Sequence, residues 1–225
     1  MRIGIAAVLG TSGGPRSYAR ALVAALARTD ADHEYWVLTD APDAVPVHPR
    51  IHTVHVPLES RYAQPLWDHV RLPAAVAPLR LDLLHHTKAA LPLGIAIASV
   101  VSVYDAAPFL HTRTFTRLQA LHHRGHIRDA ARRADRLITI SHEARAELAQ
   151  ALSVDRGRIA VIEPGATGPA REARAACGER ARALHPGIRA PFVLALGTIQ
   201  PRKDLSTVIR AFLRAKERFR FRTGW

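Results

Sequence analysis

The sequence predicts an α/β chain built on a doubly wound parallel sheet, followed by an incomplete second domain of the same kind. Three observations predict it. Short apolar runs alternate with helical periodicities at βα spacing from Arg2 to Ile162. The first run ends in a glycine-rich turn, Gly10-Thr11-Ser12-Gly13-Gly14-Pro15, which opens a helix. Composition then shifts over residues 166–190, rich in Ala, Arg, Gly and Pro, before a new apolar run begins at Pro191. The expected organisation is a first domain over 1–165, a connection over 166–190 and the start of a second domain over 191–225.

Arg2 to Val8 reads as a strand buried on both faces, because its apolar run is continuous. Arg16 to Arg28 follows as a helix with Tyr18, Leu22, Val23 and Leu26 inward. Glu34 to Thr39 and Ile51 to Leu58 are further strands, rich in β-branched and aromatic residues. Gln64 to Leu79 is a weaker helix interrupted by Pro73 and Pro78, with Trp67 and Leu72 as core anchors. Leu81 to His85 and Ala98 to Tyr104 are strands, and Thr112 to Ala134 reads as one long basic helix. Arg136 to Ser141 is a strand whose last residue caps the helix His142 to Leu152. Ile159 to Ile162 closes the first domain, and Arg171 to Leu184 is a helical stretch in the connection.

The chain has 225 residues, 48% of them hydrophobic, which is enough for a sizeable core and excludes general disorder. Its one cysteine, Cys177, excludes an internal disulfide and fits a reducing compartment. The apolar runs are too short for a signal segment or a membrane span, so a cytoplasmic protein is expected. A net charge of +13 attracts anions of every kind and does not choose among nucleic acid, acidic lipid and phosphorylated substrate. Zinc-finger spacing and an aromatic RNA-binding strand are both missing, so nucleic acid is not the expected partner.

Ligands of open α/β sheets bind beyond the carboxyl ends of the strands. Gly13, Gly14, His85, His86, Asp105, Ser141 and Glu163 fall there. In the second domain the run from Phe192 to Leu196 leads into Gly197, a short turn, the cations Arg202 and Lys203, and a helix carrying Leu205, Val208, Ile209 and Phe212 on one face. Cations at a fresh helix N-terminus suit a diphosphate, and the same residues also read as a solvated charge pair. Arg113 and Arg117, then Arg124, Arg128 and Arg132, recur at four-residue spacing and form basic ridges, either solvated or facing anionic lipid. His122 and His126 stand one helical turn apart with no carboxylate or cysteine placed to complete a site, so no metal is expected.

Four segments taken together, GTSGGPRSYARALVAAL, VVSVYDAAPFLH, ADRLITISHEARAELAQALSVDRGRIAVIEPGAT and FVLALGTIQPRKDLSTVIRAF, resemble glycosyltransferase family 4, the retaining GT-B enzymes. The resemblance implies two facing Rossmann-like domains, acceptor-binding first and donor-binding second. It implies that Gly13 and Gly14 approach the donor phosphates, and that Arg202 and Lys203 grip the diphosphate of a nucleoside diphosphate sugar as it leaves. That sugar nucleotide is a co-substrate, and no cofactor is implied. Asp105 and His85 are expected as the catalytic residues, near a glycan or lipid-linked acceptor, with peripheral contact to an anionic membrane. Three positions depart from the family's pattern. Tyr104 replaces its histidine, Thr198 its arginine, and the donor-site glutamates with seven residues between them have no counterpart. The expectation is therefore a donor domain cut short and a chain inactive as it stands, or else a non-catalytic acceptor- or partner-binding module.

Overall fold

β1 (Arg2–Ala6) runs through the interior of a seven-stranded sheet in the computed structural model of the chain. The structure describes every residue except 11–12, 30–31, 112–113, 166–172, 188–192, 198, 200–202 and 220–225. Two compact units result, Met1–Gly165 and Ala166–Trp225.

In the first unit α1 (Gly14–Thr29) follows β1, and then come β2 (Glu34–Thr39) and β3 (Ile51–His55). A helical run over 61–79 includes α2 (Gln64–Leu66), a π-helical turn Trp67–Arg71 and α3 (Leu72–Val76). β4 (Leu83–His86), β5 (Ala98–Ser102), the short α4 (Ala107–Leu110) and α5 (Arg117–Arg133) come next. β6 (Arg136–Thr139), α6 (His142–Leu152) and β7 (Ile159–Val161) complete the unit. All strand pairs are parallel, in the order β3-β2-β1-β4-β5-β6-β7. The sequence expectation of a doubly wound parallel sheet is met.

The period-2 pleat sorts the β1 side chains between two layers. Ile5, Ala7 and Leu9 pack with Ala19 and Val23 of α1, while Ala6 and Val8 pack with Trp67, Leu72 and Val76 of the 61–79 run. Burying a side chain such as Leu72 contributes about 2 kcal/mol. Pro73 and Pro78 do not end the 61–79 run. The wider π turn just before Pro73 absorbs the missing N–H, and Trp67 anchors it by donating its indole N–H to the Val56 carbonyl at 2.9 Å. Around β5, β6 and β7 a third cluster forms from Ile127, Ala130, Ala131 and Ala134, one helical stripe, together with Leu148 of α6.

Two expectations need correction. The long basic helix is not continuous from 112, because α5 starts at Arg117. Thr116 caps it: its hydroxyl accepts from Gln119 N at 3.2 Å, and the Gln119 side chain accepts from Thr116 N at 3.1 Å. The second-unit strand does not form over 193–196, where the backbone is irregular and Val193, Leu194 and Leu196 are exposed. A strand needs a neighbour to satisfy its backbone, and none is present there among the described residues. The second unit consists of α7 (Ala173–Leu184) and α8 (Leu205–Phe219), and none of the described α8 residues is buried. Among the described residues, no helix is long and apolar enough to cross a membrane.

Candidate functional site

From β1 the chain first turns to β2 and β3, then crosses to β4 and beyond, so the strand order reverses between β1 and β4. Ligands of such sheets bind at the carboxyl ends of the strands beside this reversal. There the sequence places residues 7–14 after β1, Thr87 and Lys88 after β4, and Tyr104 and Asp105 after β5.

The loop after β1 is held by Asp40, at the end of β2. Its carboxylate accepts from Leu9 N at 2.6 Å and Gly10 N at 3.0 Å. Gly10 makes this possible, since a Cβ there would lie 2.4 Å from Asp40 Oδ2. The loop then delivers Gly13 with φ +108°, a conformation costly for other residues, and Gly14 as the first residue of α1. Both glycines are exposed, and among the described residues beyond their own neighbours in the chain and the helix backbone no atom lies within 4 Å of where a Cβ would stand on either. The described residues thus leave room beside the first turn of α1, where Gly14 and Arg16 carry N–H groups and Pro15 has none.

Beside it, Thr87 fastens β4 to β1, its N–H and hydroxyl both donating to the Ala6 carbonyl, at 3.1 and 2.9 Å. The Tyr104 hydroxyl donates to the Thr87 carbonyl, and the Tyr18 ring of α1 meets Tyr104 edge-on at 5.3 Å. Burial, together with Tyr18, pushes the Tyr104 phenol well above its ordinary range, so it stays protonated and ties β5 to β4. Asp105 is exposed and accepts from Ala107 N at 3.0 Å, shaping the turn into α4. His85 is buried and its Nε2 lies 2.9 Å from Ser102 Oγ, bridging β4 and β5. Burial, assisted by the charge of His86, depresses its pKa to about 4, so the ring is neutral at pH 7.

A polar network lies alongside. His86 Nε2 is 3.1 Å from Asp68 Oδ1, which also accepts from Gln64 Nε2 at 3.1 Å. The Lys88 ammonium donates to Gln64 Oε1 at 3.3 Å. Burial works to raise the Asp68 pKa, yet hydrogen bonding and charge from His86, then Gln64 and Lys88, leave it lowered. Burial lowers the Lys88 pKa, and the fields of Asp68 and Asp40 only partly oppose it.

Ser141 caps α6 by accepting from Ala144 N at 3.1 Å, and Glu163 is exposed beyond β7. Arg202 lies outside the described residues. Lys203 is exposed beside Asp204, whose carboxylate accepts from Thr207 N at 3.3 Å and occupies the first turn of α8. The His122 and His126 rings stand 4.3 Å apart and His69 stacks 5.6 Å from His126, but among the described residues no three potential ligands are placed to hold a metal. Sequence reading missed Asp40, Asp68 and Lys88. For Asp40 the signal was present in part, an Asp ending the strand next to the glycine loop.

The profile of Glycosyltransferase Family 4 matches residues 12–167. Among solved structures, WaaG, described as a glycosyltransferase involved in lipopolysaccharide biosynthesis, superposes with a TM-score of 0.64 at 13% identity, over 94% of this chain and 58% of WaaG. The UDP-GlcNAc 2-epimerase of Methanocaldococcus jannaschii gives 0.49 at 9% identity, over 96% of this chain and 63% of that one. Anabaena Alr3699/HepE in complex with UDP gives 0.49 at 14% identity, over 80% and 50%. No curated protein sequence matches the chain significantly. The chain thus spans less than two thirds of the length of these structures. With the family profile matching well over half of the chain, the chain belongs to glycosyltransferase family 4.

Proposed function

We propose that the protein serves in transfer of a sugar from a nucleoside diphosphate sugar to a glycan or lipid-linked acceptor, with retention at the anomeric carbon. The observation that carries this reading is the start of α1 at the strand-order reversal, where the described residues leave room beside Gly13 and Gly14 at the helix N-terminus. In this reading those amides receive donor phosphate. Arg202 and Lys203 keep the role the family resemblance gives them, cations for the diphosphate as negative charge builds on it. Asp105 is the exposed acceptor-side carboxylate. His85, buried and neutral, acts by holding the ends of β4 and β5 in register. No cofactor or metal enters the scheme.

Titration of the isotope-labelled chain with UDP, GDP and ADP tests it. The backbone amides of Gly13, Gly14 and Arg16 should shift. Gly14→Val, which fills the open space, should weaken that response roughly tenfold or more. No response at these amides to any of the three nucleotides would overturn the reading. A salt-sensitive nucleic-acid complex in its place would favour a basic nucleic-acid-binding protein.

A second reading concerns α5. Leu118 and Leu121 are 78% and 68% exposed, on the helix that also carries the exposed cations Arg117, Arg128 and Arg132. Exposed leucines between arginines suit an anionic lipid surface, as an enzyme acting on a lipid-linked acceptor would need, and binding to phosphatidylglycerol vesicles measures it.

A further inference from the structure

Lys88 stands apart from the other cations of the first unit. Most arginines there are exposed or bonded to carbonyls, as Arg133 is to Pro92 at 2.9 Å and Arg124 to Pro108 at 2.7 Å. Lys88 is half-buried, two residues past the end of β4 and beside the strand-order reversal. Among the described residues its ammonium forms no ion pair, and its side-chain partner is the neutral Gln64 oxygen at 3.3 Å. The two carboxylates whose fields reach it are engaged elsewhere. Asp68 is held by His86 and Gln64, and Asp40 by the amides of Leu9 and Gly10.

An ammonium withdrawn from water without a contacting anion is costly, so a chain that keeps one there gains when an anion arrives. The surroundings also fix its position. His86 Nδ1 lies against the Lys88 peptide, 3.0 Å from its carbonyl oxygen and 3.3 Å from its nitrogen, while the far side of the ring is locked by Asp68. Gln64 joins the carboxylate to the ammonium and sets the direction of the side chain. Asp68, itself buried in the π turn, thus anchors Lys88 through two routes. A neutral sugar hydroxyl would need no such charge, since Gln or Asn would serve it as well.

We propose that Lys88 is a specificity residue for an anionic acceptor, its ammonium binding a phosphate or carboxylate oxygen of the molecule that receives the sugar. This rests on the glycosyl-transfer reading above and adds the class of acceptor. Gln64, Asp68 and His86 are positioning residues for that cation.

The test uses the 225-residue chain, isotope-labelled, titrated separately with inorganic phosphate and with acetate, in wild type, Lys88→Gln and Lys88→Arg. The amides of Thr87 and Lys88 and the side-chain amide of Gln64 should move with phosphate, with acetate, or with both. Phosphate alone assigns a phosphorylated acceptor, and a response to both assigns a carboxylate-bearing one as well. Lys88→Gln should weaken the response at these groups about tenfold or more, and Lys88→Arg should restore it to within about threefold. Arg156→Gln, in the exposed turn before β7, controls for diffuse attraction by the net charge and should leave the response unchanged. Removing a half-buried charge leaves Lys88→Gln folded, which its melting transition verifies. An anion response in Lys88→Gln as strong as in wild type, or no response to either anion at these groups in wild type, overturns the proposal. If that failure comes with intact nucleotide shifts at Gly13 and Gly14, only the Lys88 assignment falls. Missing nucleotide shifts with an intact Lys88 response sink the donor reading instead.

Discussion

At the scale of single residues, His85 is the clearest case of a side chain whose surroundings decide its chemistry. In the fold its ring resists protonation down to about pH 4, while in the unfolded chain it takes up a proton near its ordinary 6.5. Between those values the unfolded state binds more protons, so stability is complete above about pH 6.5 and falls as the pH drops toward 4. The loss from this residue is on the order of 3 kcal/mol. Urea unfolding of wild type at pH 7, 5.5 and 4.5 should show that decline, and His85→Asn should flatten it. Equal slopes in the two proteins would remove His85 as the cause. The identity of this residue was legible at the end of a strand, but its burial was not. Two adjacent histidines look alike until the register sets His85 against Val100 and beside Ser102. Asp40 was hidden for a different reason. Its partners Leu9 and Gly10 lie thirty or more positions away, and no local pattern announces a contact at that range.

At the scale of elements, the strands and α6 follow from apolar periodicity and from the Ser141 cap, and their observed bounds differ from expectation mainly at the carboxyl ends. The Arg-rich periodicity from 112 onward concealed a start signal inside it, Thr116 followed three residues later by Gln119. Removing that cap should be measurable. Thr116→Ala should cost about 1 kcal/mol in urea unfolding, and Thr116→Ser should cost less because the hydroxyl survives. A Thr116→Ala variant as stable as wild type would show that tertiary packing of Ile127 and Ala130 alone sets the start of α5. In the second unit the apolar stripe of α8 was legible as Leu205, Val208, Ile209 and Phe212, yet Val208 and Ile209 are 41% and 59% exposed. Periodicity shows which face seeks cover, and it cannot say whether cover is present.

At the scale of the whole molecule, the net charge of +13 bears on partner choice only where it is concentrated on a surface. The structure narrows the ridge expected on α5. Arg124 is drawn to the Pro108 carbonyl, and Arg128 lies 5.2 Å from the Phe109 ring centre, while Leu118 and Leu121 project among the cations. Binding to phosphatidylglycerol vesicles should therefore have two parts, one screened by salt and one not. Raising salt from about 0.1 M to 0.5 M should remove most of it, since the screening length shrinks well below 10 Å. Leu118→Ser with Leu121→Ser should weaken what remains. Binding to uncharged phosphatidylcholine of equal strength would contradict the electrostatic part.

β1 is made before both of its neighbours and ends in the interior of the sheet, between β2 and β4. Its pairing with β4 joins Ile3 to Leu83 and Ala6 to His86. A ribosome adding roughly 5–20 residues per second makes that stretch on the order of 4–16 s after β1. The α1–β2 segment can cover only one side of the strand in the meantime. During synthesis the run Ile3 to Leu9 therefore waits with a bare edge, and it is the segment of the nascent chain that most needs a chaperone or fast translation.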